Sequence, residues 1–146
     1  MLSVAAFMGG NEATEPAVSV AARPDNVVIF PDPDLEAAVR DRIGIHTGEI
    51  HQSDLETLTS LIASGSDLRG LEHCTSLEKL VVYGSATDIS PIAGLKSLTH
   101  VTIMGNPVTD ISPLAGLTQL TELQLVGNRI NDISAIASLT NLKKLN

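Results

Sequence analysis

The stretch Leu117-Thr118-Gln119-Leu120-Thr121-Glu122-Leu123-Gln124-Leu125-Val126-Gly127-Asn128-Arg129-Ile130 decides the fold. Its pattern is Leu-x-x-Leu-x-x-Leu-x-Leu-x-x-Asn-x-Ile, and it recurs. The triplet Asp-Ile-Ser stands at 88–90, 110–112 and 132–134, a step of 22 residues each time. The apolar positions keep that step: Leu95, Leu117 and Leu139; Leu98, Leu120 and Leu142; Val101, Leu123 and Leu145; Ile103 and Leu125. Asn106 and Asn128, Gly94 and Gly116, and Pro91 and Pro113 repeat as well. Agreement of so many positions at one period marks a stack of coils rather than an ordinary globular domain.

Each residue type in the unit has a physical task. In Leu123-Gln124-Leu125 the side chains alternate, so both Leu face a core and Gln124 faces out. That is a short strand, and stacked units align their strands into a parallel sheet with a buried apolar face. Asn128 turns the chain, its amide satisfying backbone groups the sheet no longer pairs. The segment 110–117 makes the return: Ser112 is an N-cap residue type, Pro113 suits a first helical position, and Gly116 suits the exit of a single turn. A short 3₁₀ or one-turn helix is expected there.

Working back from Asp88, the units become irregular. Cys74, Leu77, Leu80, Val82, Ser85 and Ile89 fit one unit if a residue is deleted between Ser85 and Asp88. Leu55, Leu58, Leu61, Ala63 and Leu68 fit an opening unit, with Ser66 and Ser85 where Asn is expected. Residues 27–57 do not repeat. Val27-Val28-Ile29-Phe30 is apolar, and Leu35, Ala38, Val39, Arg42 and Ile43 then fall near helical spacing. Asp32 caps that helix, Pro33 fits its first turn, Glu36 pairs with Arg40 at i,i+4, and Gly44 ends it. Ser53-Asp54-Leu55-Glu56 reads as a capping box opening a second short helix. A solenoid needs such a cap, since its first coil otherwise exposes a row of Leu.

The unit over about residues 55–146 resembles the leucine-rich repeat consensus. The stretch from Phe30 to Leu71 is similar to the helical N-terminal cap of internalin-type bacterial leucine-rich repeat proteins. The matching features are Phe30-Pro31-Asp32, the Ala/Val/Arg helix, Asp54-Leu55, Leu68-x-Gly70-Leu71 and the 22-residue period. The departures are the irregular units before Ile89 and the lack of a polar cap after the last coil. The resemblance implies an α/β fold: a right-handed solenoid with a parallel sheet on its concave face, short 3₁₀ turns on its convex face and an N-terminal helical cap. Three segments are expected: a leader over 1–26, the cap over 27–57 and repeats over 58–146. The array is expected to continue past Asn146.

Composition bounds the function. The chain has 146 residues, a net charge of -8 and 2% aromatics, so its core is aliphatic. Nine of its 17 acids lie in residues 31–76 against three Arg, while residues 77–146 carry five of each sign. An acidic chain lacks the Lys/Arg surplus that nucleic acid or an anionic membrane surface requires. No apolar run reaches the length of a membrane span. The opening Met1–Gly10 is short and apolar, either the remnant of a secretory signal peptide or part of a disordered arm.

Nothing in the chain reads as catalytic machinery or a cofactor site. His46, His51, His73 and His100 lack paired ligand spacing, and Cys74 occupies a Leu position of the repeat, as a buried hydrophobe would. Asp32, Asp34 and Glu36 lack the calcium-loop pattern and read as helix-capping acids. Asp88, Asp110 and Asp132 fall in file about 5 Å apart. The favoured role is capping the return turns, with a cation site as the alternative. Neither a cofactor nor a metal is expected.

Alternation leaves one set of side chains facing solvent on the sheet: Lys79, Val81 and Tyr83; His100, Thr102 and Met104; Glu122, Gln124 and Val126; then Lys144. Tyr83, Met104 and Val126 form an apolar row, beside a charged row of Lys79, His100, Glu122 and Lys144. Exposed apolar patches with polar rims mark interfaces. The expected function is therefore non-enzymatic protein binding by the concave face. The resemblance implies that the chain is part of a larger bacterial secreted or cell-surface protein. Two alternatives stand beside it: a structural spacer displaying a downstream domain, and the recognition arm of a larger enzyme.

Overall fold

The computed structural model describes residues 25–146, and residues 1–24 of the leader expected over 1–26 lie outside the described residues. Asp25 and Asn26, grouped with the leader by sequence, are tied to the cap: Asp25 accepts from Ser53 N at 2.7 Å and Asn26 O accepts from Gln52 N at 2.9 Å.

The cap comes first. Strand β1 (Val27–Val28) pairs antiparallel with β2 (Ile50–His51), and between them runs helix α1 (Pro33–Ile43). The helix has the bounds its residues dictate. Asp32 accepts from the N–H groups of Asp34 and Leu35, Pro33 opens the first turn, and Gly44 closes the last in the left-handed conformation at φ 75°. Arg40 donates to Glu36 at 2.7 Å. Leu35 and Val39 are fully buried, with Ala38 and Ile43 partly so. The second cap turn differs from expectation. It is a 3₁₀ turn over Gln52–Leu55, and its capping box joins His51 and Asp54, with His51 N donating to Asp54 Oδ2 at 2.7 Å. Ser53 lies inside that turn because the β2 pairing holds His51 extended just before it.

The repeats follow as a five-stranded parallel sheet in sequence order: β3 (Ser60–Gly65), β4 (Lys79–Gly84), β5 (His100–Met104), β6 (Glu122–Gln124) and β7 (Lys144–Leu145). The register aligns Leu61, Leu80, Val101, Leu123 and Leu145, and beside them Ala63, Val82 and Ile103. The two irregular units thus take their places in the sheet, and the shortfall lies just after Ser85, where the buried Ala86 stands two positions beyond Gly84.

On the back, 3₁₀ turns span Leu71–His73, Ser90–Ile92, Ser112–Leu114 and Ser134–Ser138. Their caps are not the Ser residues, which are first in their turns. The carboxylates of Asp88, Asp110 and Asp132 accept the N–H of Ser90, Ser112 and Ser134, each at 2.8 Å. Gly116 is not in a left-handed conformation. Its lack of a side chain makes room for Lys96, whose ammonium donates to Gly116 O at 3.3 Å.

Between strand and return turn, Asn106 is buried. Its amide donates to Val82 O and Met104 O and accepts from Ala86 N, all at 3.0–3.1 Å. Asn128 donates likewise to Ile103 O and Leu125 O at 2.7 Å. Its Oδ1, however, is buried with no donor among the described residues.

One aliphatic core runs from Val28 in the cap to Leu139 in the last coil. Phe30 roofs it at the junction, lying on Gly70, whose φ is 104°. Among the described residues no helix is long and apolar enough to cross a membrane.

Candidate functional site: the open face of the sheet

The ladders show which side chains lie side by side. The first row across the strands is Ser60, Lys79, His100, Glu122 and Lys144. The second is Ile62, Val81, Thr102 and Gln124. The third is Ser64, Tyr83 and Met104. All face away from the core, because the positions between them are the buried Leu and Val of the ladder.

Val126 stands apart from the row assigned to it. Strand β6 ends at Gln124, and Val126 opens the turn that follows. Its carbonyl still accepts Gly105 N at 2.9 Å, so its side chain remains near the Met104 end of the face, 43% exposed.

The charged row is wired rather than merely aligned. His100 Nε2 lies 2.9 Å from Glu122 Oε1, and Lys144 Nζ lies 2.9 Å from Glu122 Oε2. The other ring nitrogen of His100 is 2.8 Å from the hydroxyl of Thr99. The hydrogen bond from the Lys144 ammonium, with its charge, holds the Glu122 carboxyl below the usual range. Glu122 is thus the anionic hinge of the row.

Sequence reasoning missed the first strand of this face. Ile62 is 69% exposed, more than Tyr83 at 46%, and it stands beside Val81. The signal was present: once Leu61 is aligned with Leu80, Ile62 falls on Val81, Thr102 and Gln124. Arg42 of the cap also reaches this edge, donating to Ser60 O at 2.9 Å and to Ser60 Oγ. Between α1 and β3 a cavity of about 360 Å³ is lined by Ala38, Asp41, Arg42, Ser60, Leu61 and Ile62.

Away from the face, Cys74 is fully buried, and burial pushes its thiol up to about 12, with Glu72 adding to the shift. Among the described residues no group of three His, Cys, Asp or Glu is placed to hold a metal. The carboxylates of Asp88, Asp110 and Asp132 each serve their own turn.

The chain is 39% identical, over 81% of its length, to the crystal structure of an internalin (inlF) from Listeria monocytogenes, with a TM-score of 0.78. This chain is a leucine-rich repeat protein of the internalin-like class. It spans 36% of that internalin's length. It is also similar to a structure of the CBM51-2 and INT domains of Clostridium perfringens ZmpB. There the identity is 31% over 58% of this chain and 19% of that one, at a TM-score of 0.53. The leucine-rich repeat ectodomain of the Arabidopsis thaliana receptor kinase SOBIR1 shares the fold alone. It has 13% identity, covers 80% of this chain and 78% of that one, and gives a TM-score of 0.50. No protein-family model matches the chain, and no curated protein matches it. The internalin-like fold is that of a protein-interaction module.

Proposed function

We propose that this internalin-like chain binds a protein ligand on the open face of its sheet, without catalysis. The observation that carries the reading is the apolar content of that face. A solvated sheet face is ordinarily polar, yet Ile62, Val81, Tyr83 and Met104 sit together on it. The backbone beneath them is fixed by the ladder, so little ordering cost falls on binding. The contact residues are Lys79, Val81, Tyr83, His100, Thr102, Met104, Glu122, Gln124, Val126 and Lys144, to which the structure's geometry adds Ile62. The non-enzymatic reading is supported by the buried thiol of Cys74 and by the engagement of both His100 ring nitrogens.

In this reading residues 27–57 are a cap that shields the core, and residues 58–146 are the repeats that present the face. The likeness to an internalin supports a place in a larger bacterial protein, secreted or held at the cell surface.

A photo-crosslinking side chain at position 83 tests the reading, with position 118 on the far side as control. Incubated with surface-protein extracts, the chain should form a discrete adduct from position 83 only. Unlabelled chain should compete the adduct away, and the Tyr83→Ala/Met104→Ala chain should not. Equal labelling from both positions, or equal competition by both chains, contradicts the reading and favours a spacer.

A further inference from the structure

We infer that the first corner of the sheet face receives an acidic, apolar segment of a protein partner. A partner carboxylate lies between Arg42 and Lys79, and a neighbouring apolar side chain rests on Ile62 and Val81. The inference rests on the protein-binding reading above and supplies the chemistry of the partner.

Charge complementarity carries it. In a chain of net charge -8, three of the eight Lys and Arg among the described residues are held by carboxylates. Arg40 is held by Glu36, Arg69 by Asp67, and Lys144 by Glu122, which also takes His100. Arg42 and Lys79 are not so held, and of the cations without a carboxylate they are the two that meet at Ser60 on the sheet face. Arg42 donates only to the neutral oxygens of Ser60. Lys79 is exposed, with no carboxylate in ion-pair distance among the described residues. The ladder then brings the two together, because Ser60, the anchor of Arg42, is the register partner of Lys79.

The surroundings select a carboxylate on an apolar chain rather than a free anion. The next position along both strands is the buried pair Leu61 and Leu80, and the one after is an apolar pair, the exposed Ile62 and the half-buried Val81. Charge and apolar surface therefore alternate at the spacing of one extended segment. The cavity beside Ile62 gives an apolar side chain somewhere to enter. Asp41 also lines that cavity and repels an acid entering from the helix side. The carboxylate must accordingly approach over Lys79, from the open face. Complementary charges of this kind set partner choice and association rate more than raw affinity.

Random ten-residue peptides displayed on phage and selected on the wild-type chain test this without a known ligand. Binders that depend on the face are those lost on Tyr83→Ala. Among them, Asp or Glu next to an aliphatic or aromatic residue should be enriched. Their affinity should fall about tenfold on Lys79→Glu and fall again as salt rises. Selection on the Lys79→Glu chain should enrich Lys or Arg instead. Lys79 is exposed and makes no internal ion pair, so this variant keeps the fold, and its circular dichroism spectrum should match the wild type. Face-dependent binders with no acidic enrichment, indifferent to Lys79→Glu, overturn this inference and leave the face as a binding surface. An absence of any Tyr83-dependent binder overturns both.

Discussion

The Oδ2 atom of Asp32 accepts the backbone N–H of Ser66 at 2.7 Å, a bond that spans 34 positions and locks the cap onto the first coil. The same oxygen takes Asp67 N at 3.2 Å, while Oδ1 caps α1 through Asp34 and Leu35. One carboxylate therefore does two jobs: it starts the helix, and it accepts the N–H groups of Ser66 and Asp67 in the first coil. Asp32→Ala should cost about 3 kcal/mol, the sum expected of a lost N-cap and orphaned buried donors. Urea unfolding checks it, and a loss below about 1 kcal/mol refutes the double role.

The same carboxylate sets an acid limit. Burial opposes its charge, but the N–H groups of Ser66, Leu35, Asp67 and Asp34 outweigh burial and hold its pKa at about 2 against an ordinary 3.8. For an acid whose folded pKa is depressed, the stabilisation is present above the unfolded value and lost as pH falls through the folded one. The Tm should therefore drop between about pH 4 and pH 2 more steeply in the wild type than in Asp32→Asn. Parallel curves for the two proteins contradict the assignment.

Two glycines separate room from conformation. Gly70 has φ 104°, and a Cβ there falls on the Phe30 ring, so Gly70→Ala should destabilise by about 2 kcal/mol or more. Gly94 has nothing within 4 Å of an added Cβ and no left-handed backbone. Gly94→Ala should be neutral or slightly stabilising. Thermal unfolding of both variants gives the comparison.

Asn106 is 1% exposed and serves three backbone groups at once. Asn106→Ala removes the donors to two carbonyls and leaves the buried Ala86 N–H without its acceptor, at about 3 kcal/mol. Asn128, whose Oδ1 has no donor, should cost less on the same change. Denaturant midpoints of the two variants test the order, and equal losses contradict it.

Cys74 should behave as a core residue. Its thiol, pushed up to about 12, should resist a colorimetric thiol reagent at neutral pH and react only at the rate of unfolding. Prompt reaction in the folded chain excludes the buried placement.

Much of this was legible in the sequence because it is periodic. The Leu ladder, the Asn turn and the Asp-Ile-Ser return each recur, so every unit corroborates the others. The α1 signals were equally local: Asp32, Pro33, the Glu36–Arg40 pair and Gly44 lie within a few residues of what they act on. What was missed acts at a distance. No spacing shows that Asp32 reaches Ser66, or that Phe30 lies on Gly70. The short capping errors have a related cause. Ser112 has the right chemistry for a cap, but Asp110 reaches its N–H first. On the face, Ile62 escaped notice because its unit is irregular, and Arg42 because it belongs to the helix.

The central claim is that the sheet face, not the turns behind it, carries the binding surface. The direct measurement is calorimetric titration of a selected peptide or crosslinked ligand against two doubly substituted chains. One is Tyr83→Ala/Met104→Ala on the face, and the other is Thr118→Ala/Ser138→Ala away from it. Removing anchors at the centre of an interface should weaken binding about thirtyfold or more for the first, with the second unchanged. Equal affinity of the face variant and the wild type, or a larger loss in the Thr118/Ser138 variant, would contradict the account.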